Sequence, residues 1–288
     1  MSTRLTAPSR VMQGALLMPG VVALVLTFVL PLVWLGRMSL MPPAGTAPQT
    51  VALSLHAYGR VLGDGFYWWI IWRTLCIGVA TVCVAVPMAF PIALFLARSQ
   101  SRWRGLLIVL AIAPLMTSTV IRTYGWMVIL SRHGIVNSLL VGSGLFTHPI
   151  RLDNGIFATV LALVEILMPY AIISILSNLG RLSTDLEQAG AILGARPVQV
   201  FIRIVVPLAL PGLLTASLLV FVLTISSLVT PQLMGGGRVF VLATEIFNAT
   251  TVTLDWPFAG ALSIVLLVLF GVVISLYQRV LQRVEGGL

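Results

Sequence analysis

Glu165 has the plainest chemical meaning of any residue in this chain: it is a carboxylate inside an otherwise apolar run, Asn154–Gly180. An ionisable group at the centre of a membrane helix costs about 2.5–3.5 kcal/mol on insertion scales, so it faces protein or a wet cavity. There it would attract an ammonium group, with a carbonyl freed near Pro169 and the Tyr170 ring offering an oxygen and a cation–π face one turn later. Two other roles fit the same residue: a protonated hydrogen bond between helices, or an ion pair with an arginine such as Arg122. Little else is chemically suggestive. His56, His133 and His148 have no carboxylate at useful spacing, and no phosphate-binding glycine loop, zinc motif or nucleophile elbow occurs. Cys76 and Cys83 stand roughly 10 Å apart along a helix, beyond disulfide reach. The sequence offers no catalytic residues and no metal ligands.

The elements that must carry Glu165 are membrane helices. The chain is 59% hydrophobic and 9% charged, against roughly 25% charged for a soluble domain. Apolar runs long enough to span a bilayer predict six helices over about 12–36, 70–97, 105–131, 154–180, 207–232 and 257–281, making one all-α membrane domain. The third is short unless Thr123–Ser131 extends it past Arg122. The first run is about twice the length of a signal-peptide core and no cleavage site follows it, so it is read as a retained helix.

All basic residues are arginine, and the +9 formal charge is scattered over helix ends, which points to membrane topology and not to nucleic acid. Arg98, Arg102 and Arg104 crowd one short loop, and Arg181, Arg196, Arg203, Arg279 and Arg283 fall on the same side. By the positive-inside rule that side, with both termini, is cytosolic. Outside, Arg37–Trp69 predicts a loop and a short surface helix, and Phe66, Tyr67, Trp68, Trp69 and Trp72 an interfacial belt. Tyr124 and Trp126, toward the outer end of the third helix, and Thr224 and Ser227 on the fifth join Glu165, Pro169 and Tyr170 as pathway candidates. Small hydroxyl residues equally serve close helix packing in lipid.

A polar cytosolic loop, 181–207, separates the fourth and fifth helices. Thr184 and Glu187 have capping-box spacing, opening a short helix to about Leu193; Gly194 allows a turn; Pro197 suits the first turn of a second helix carrying Val200, Phe201 and Ile204 on one side. The product is a helix–turn–helix knob with apolar residues for a partner groove.

This loop resembles the EAA loop of bacterial ABC-importer permeases, EAA-x3-G-x9-I-x-L-P. Gln188-Ala189-Gly190 align with EAA, followed by Gly194, Ala195, Ile204 and Pro207; Val206 replaces the usual leucine, and Gln188 the usual glutamate, with Glu187 beside it. Further segments are similar to the spermidine/putrescine (PotB-type) permeases: Ile121-Arg122-Thr123-Tyr124-Gly125-Trp126, Gly134-Ile135-Val136-Asn137, Leu167-Met168-Pro169-Tyr170, Pro231-Gln232-Leu233-Met234-Gly235-Gly236 and Asp255-Trp256-Pro257. These matches cover about half of the chain.

The resemblance implies a type I ABC importer permease fold in the bacterial inner membrane. Its partners would be homodimeric ATP-binding subunits, a second homologous permease and a periplasmic solute-binding protein. Thr184, Glu187, Gln188, Ala189, Gly190, Gly194, Ala195, Phe201, Ile204 and Pro207 would form the ATPase-coupling surface, and ATP and magnesium would bind the partner, with no cofactor in this chain. The implied solute is a polyamine; another small organic solute, an aminophosphonate and ferric iron are the alternatives within the class. A secondary transporter is the rival outside it, and would be expected to show inverted repeats and more intramembrane charge.

Overall fold

The computed structural model describes residues 18–42, 53–180 and 185–285. It is helical throughout, with no strand among the described residues. Among the described residues five helices are long and apolar enough to cross a bilayer: α1 (Met18–Ser39), α3 (Gly65–Arg98), α7 (Ile156–Leu179), α9 (Pro197–Ile225) and α12 (Trp256–Arg283, continuing to Glu285). Between them lie α2 (His56–Gly63), α4 (Arg104–Met116), α5 (Thr119–Leu130), α6 (Ile135–Gly142), α8 (Asp185–Ile192), α10 (Val229–Met234) and α11 (Leu242–Thr251).

The third span is not the continuous 105–131 helix that hydropathy suggests. It breaks after Met116, and α4 lies at 94° to the Thr119–Gly142 segment. The cause is local. Pro114 tightens Ala113–Met116 into a 3-10 turn, and Thr117 and Ser118 are extended. Thr117 donates its hydroxyl to the Pro114 carbonyl, 2.7 Å away.

The fifth span departs too. Its helix begins at Pro197 in the loop and ends at Ile225, so Pro207 lies within a continuous rod and not at its start. Pro207 has no N–H to give, and just before it the chain makes a wider π turn over Phe201–Val205, closed by the Val206 N–H on the Phe201 carbonyl. Ser226–Leu228 then separate α9 from α10, where one helix to residue 232 was expected.

Helices α3, α7 and α9 form the core. Lipid gives no hydrophobic drive between helices, so close approach through small residues does the work. Ala85, Ala89, Ala93, Ala171, Ala209 and Ala216 are fully buried there, interleaved with Leu96, Val164, Leu167, Ile175 and Val220. Gly78 of α3 lies against α9: a Cβ on it would sit 2.7 Å from Phe221 Cε2 and 3.0 Å from Ile225 Cγ2. Gly78→Val should therefore cost about 1–3 kcal/mol by overpacking, read as a lower melting temperature in detergent; an unchanged melt would show that the two helices separate freely.

At the end away from α8, α2 packs Ala57 and Val61 onto Ile70, Phe258 and Leu262. Arg60 Nη1 lies 2.8 Å from Asp255 Oδ2, and its guanidinium sits 4.2 Å above the Phe258 ring. Tyr67 turns inward onto Phe258, whereas Phe66, Trp68, Trp69 and Trp72 remain exposed. Asp255 Oδ1 also accepts the Phe258 N–H, capping α12.

Candidate functional site

Two groups of residues stand out, one inside the membrane and one at the α8 end. Inside, Arg122 of α5 reaches back across the break. Its guanidinium donates to the Pro114 carbonyl at 3.1 Å, the Glu165 carbonyl at 3.0 Å and Glu165 Oε1 at 2.6 Å. The second carboxylate oxygen, Glu165 Oε2, accepts the Trp126 indole N–H at 3.3 Å. One arginine thus satisfies a carbonyl exposed by the break and ties α4, α5 and α7 together, the arrangement that non-helical backbone at membrane depth requires. The Arg122 side chain is 11% exposed and that of Glu165 33%.

Among the roles open to Glu165, this geometry favours the ion pair with Arg122 over solute contact. The carboxylate borders a cavity of about 330 Å³, but the other walls are apolar: Leu107, Leu110, Met168, Pro169 and Ile172 among them. Of the remaining pathway candidates, Trp126 joins the carboxylate and Pro169 shares its cavity. Tyr124, Tyr170, Thr224 and Ser227 line no part of that cavity. Thr224 is 3% exposed and donates its hydroxyl to the Val220 carbonyl, a packing role. Tyr170 is partly exposed on another face of α7.

At the other end, α8 closes with a Schellman turn. The Ala195 N–H bonds the Gly190 carbonyl at 3.1 Å, the Gly194 N–H bonds Ala191 at 3.0 Å, and Gly194 has φ +81°. Gly190 is buried, and a Cβ there would come within 2.8 Å of Ile204 Cδ1. The glycine therefore lets α8 lie directly on α9. Gln188, Ala189 and Gly194 face outward, Ala195, Ile204 and Pro207 are half-buried, and Phe201 lies 5.8 Å from Phe90 of α3. Thr184, and with it the expected capping box, lies outside the described residues. Glu187 instead pairs with Arg98 at the end of α3.

Sequence reasoning missed two parts of this end. Arg98 was assigned to topology alone, and nothing local announces that α3 ends beside α8. Ile192 and Leu193, at the tip of the knob, are 86% and 87% exposed. Their signal was present: two large apolar residues directly before a turn glycine in a polar loop.

Residues 79–285 match the family described as binding-protein-dependent transport system inner membrane component. The chain belongs to this family. It is a multi-pass inner-membrane transport permease. It is 32% identical over 219 residues to the spermidine/putrescine transport system permease protein PotB of Haemophilus influenzae, covering 76% of each chain. To PotB of Escherichia coli K12 it is 32% identical over 229 residues, 80% of this permease and 83% of the relative. A bacterial ABC transporter involved in import of the acidic polysaccharide alginate superposes with TM-score 0.76 at 16% identity, over 94% of this permease and 95% of that chain. The shared fold is that of the type I ABC importer permeases.

Proposed function

We propose that this permease imports polyamines, spermidine or putrescine, taking them from a periplasmic binding protein. The observation that carries the cargo is the 32% identity, over about four-fifths of the chain, to permeases named for spermidine and putrescine. In this reading both termini and α8 are cytosolic, homodimeric ATP-binding subunits receive α8, and a second homologous permease completes the pathway.

Coupling follows from the α8 end. Ile192 and Leu193 enter an apolar groove of the ATPase, with Gln188 and Ala189 beside them. Closure of the ATPases on ATP displaces α8, and α9 carries that displacement into the membrane as a single rod from Pro197 to Ile225. Arg98 transmits it to α3 through Glu187. Gln188 offers the ATPase an uncharged amide, while the neighbouring carboxylate works inside this chain. Arg98→Ala should lower uptake several-fold with little effect on membrane insertion, and the exchanged pair Arg98→Glu/Glu187→Arg should recover part of it. No recovery, with both single variants inactive, would assign the two residues separate roles.

The function is tested by uptake of labelled putrescine and spermidine in cells lacking this chain, with and without the gene restored. Uptake that disappears and returns supports polyamine import. Unchanged uptake, in cells without a second polyamine importer, would reject the cargo and leave the permease architecture standing.

A further inference from the structure

Hydroxyls on the membrane helices mostly donate to their own backbone. Thr74, Thr81, Thr159, Ser217, Thr224 and Ser263 each bond the carbonyl four residues back. Near the end of α7 that habit fails. Among the described residues Ser174 and Ser177 bond nothing through their hydroxyls, and Asn178 Oδ1 is buried with no partner. A buried amide oxygen left so costs free energy until something polar reaches it.

These three side chains, with Gly212 and Thr215 of α9, line a cavity of about 340 Å³. Gly212 creates the room: a Cβ on it would stand 2.6 Å from Asn178 Cβ and 2.9 Å from Oδ1. The Thr215 oxygen closes the opposite wall, bonded to the Pro211 carbonyl at 2.8 Å and to the Tyr277 hydroxyl at 2.9 Å. Tyr170, four residues before Ser174 and seven before Ser177, shares their helix face and is exposed.

The wall holds hydroxyl and amide oxygens and no formal charge. Such a wall accepts N–H bonds from a cation without the depth of a carboxylate, which suits a site that must be left as readily as entered. Ser174 and Ser177, one turn apart, are separated by roughly 5–6 Å. This is comparable to the ~6 Å that five single bonds of roughly 1.5 Å place between the nitrogens of a diaminobutane. We propose that Ser174, Ser177, Asn178 and Thr215 form a station for the ammonium groups of a polyamine, between the membrane interior and the α8 end. The Tyr170 ring provides a cation–π approach to it. The station rests on the polyamine reading above.

The test uses the complete transporter in inside-out vesicles, with Cys76→Ala and Cys83→Ala removing this chain's two thiols, Ser177→Cys adding one, and modification read on this chain alone. A cationic methanethiosulfonate reagent is expected to modify this thiol, and spermidine to slow the modification several-fold where the same concentration of magnesium does not. Thr215→Cys, on the facing wall, gives the same reading should Ser177→Cys not assemble. A thiol that never reacts would mean the cavity is sealed against another chain, overturning the station. A thiol that reacts at one rate with or without spermidine, in a transporter that takes spermidine up, would also overturn it while leaving the cargo intact. Absence of spermidine uptake in the restored cells would remove the cargo and the station together.

Discussion

Arg122→Ala is expected to destabilise the permease by about 3 kcal/mol, the lower part of the range for breaking a buried ion pair because Glu165 is a third exposed. The loss has a specific anatomy. The Glu165 carboxylate would remain at membrane depth with only the Trp126 indole, and the Pro114 carbonyl at the break would keep Thr117 but lose its tie to α5. Glu165→Leu should do comparable harm by stranding the guanidinium. The double variant Arg122→Met/Glu165→Leu removes both charges, and apolar replacements of a buried pair are often neutral or stabilising. Its melting temperature in detergent should therefore recover most of what either single change loses. Single variants as stable as the parent would show that the pair does not hold the broken span. Normal stability with an altered KM for spermidine in Glu165→Gln would return Glu165 to the solute pathway.

Gly194→Asp should abolish uptake while the chain still reaches the membrane. Two effects coincide at this residue. The left-handed backbone at φ +81° costs a side chain roughly 1–2 kcal/mol, although aspartate bears it better than most residues. More important, a carboxylate would stand directly beside Ile192 and Leu193, the exposed apolar tip that enters the ATPase groove in the coupling proposed above. Gly194→Ala carries the strain without the charge and should retain part of the activity. Equal uptake by parent and Gly194→Asp, at equal amounts in the membrane, would sink the coupling role of this turn.

Much of the membrane architecture was legible because apolar runs of bilayer length leave few alternatives. The broken third span was not, although its cause, Pro114, was in view. A proline marks where a helix is free to break, but the break also needs a donor for the exposed carbonyl. Thr117 supplies one inside the turn, and Arg122 a second from eight residues further on, across the bend itself. Likewise the continuity of α9 through Pro207 depends on a π turn that no local pattern in the loop required.

Two of the segments that carried the resemblance prove to be fasteners. Gly134 has no side chain because a Cβ would lie 2.3 Å from the Ile129 carbonyl. Asn137, three residues on, is buried and bonds the Ser131 and Ile150 carbonyls and the Ile150 N–H. Asp255 both caps α12 and holds Arg60. Such motifs specify the fold and say little about cargo, which explains why the family was readable and the solute-contacting residues were not. Thr224 illustrates the same limit, since a hydroxyl that packs against its own helix has the same residue type as one that lines a path.

The most direct measurement is ATP hydrolysis by the purified transporter in lipid, with and without its binding protein loaded with spermidine. The account predicts that the permease purifies with an ATPase, that the loaded binding protein raises hydrolysis several-fold, and that Gly194→Asp removes the stimulation. Hydrolysis indifferent to the loaded binding protein, or a permease that purifies without any ATPase, would contradict it.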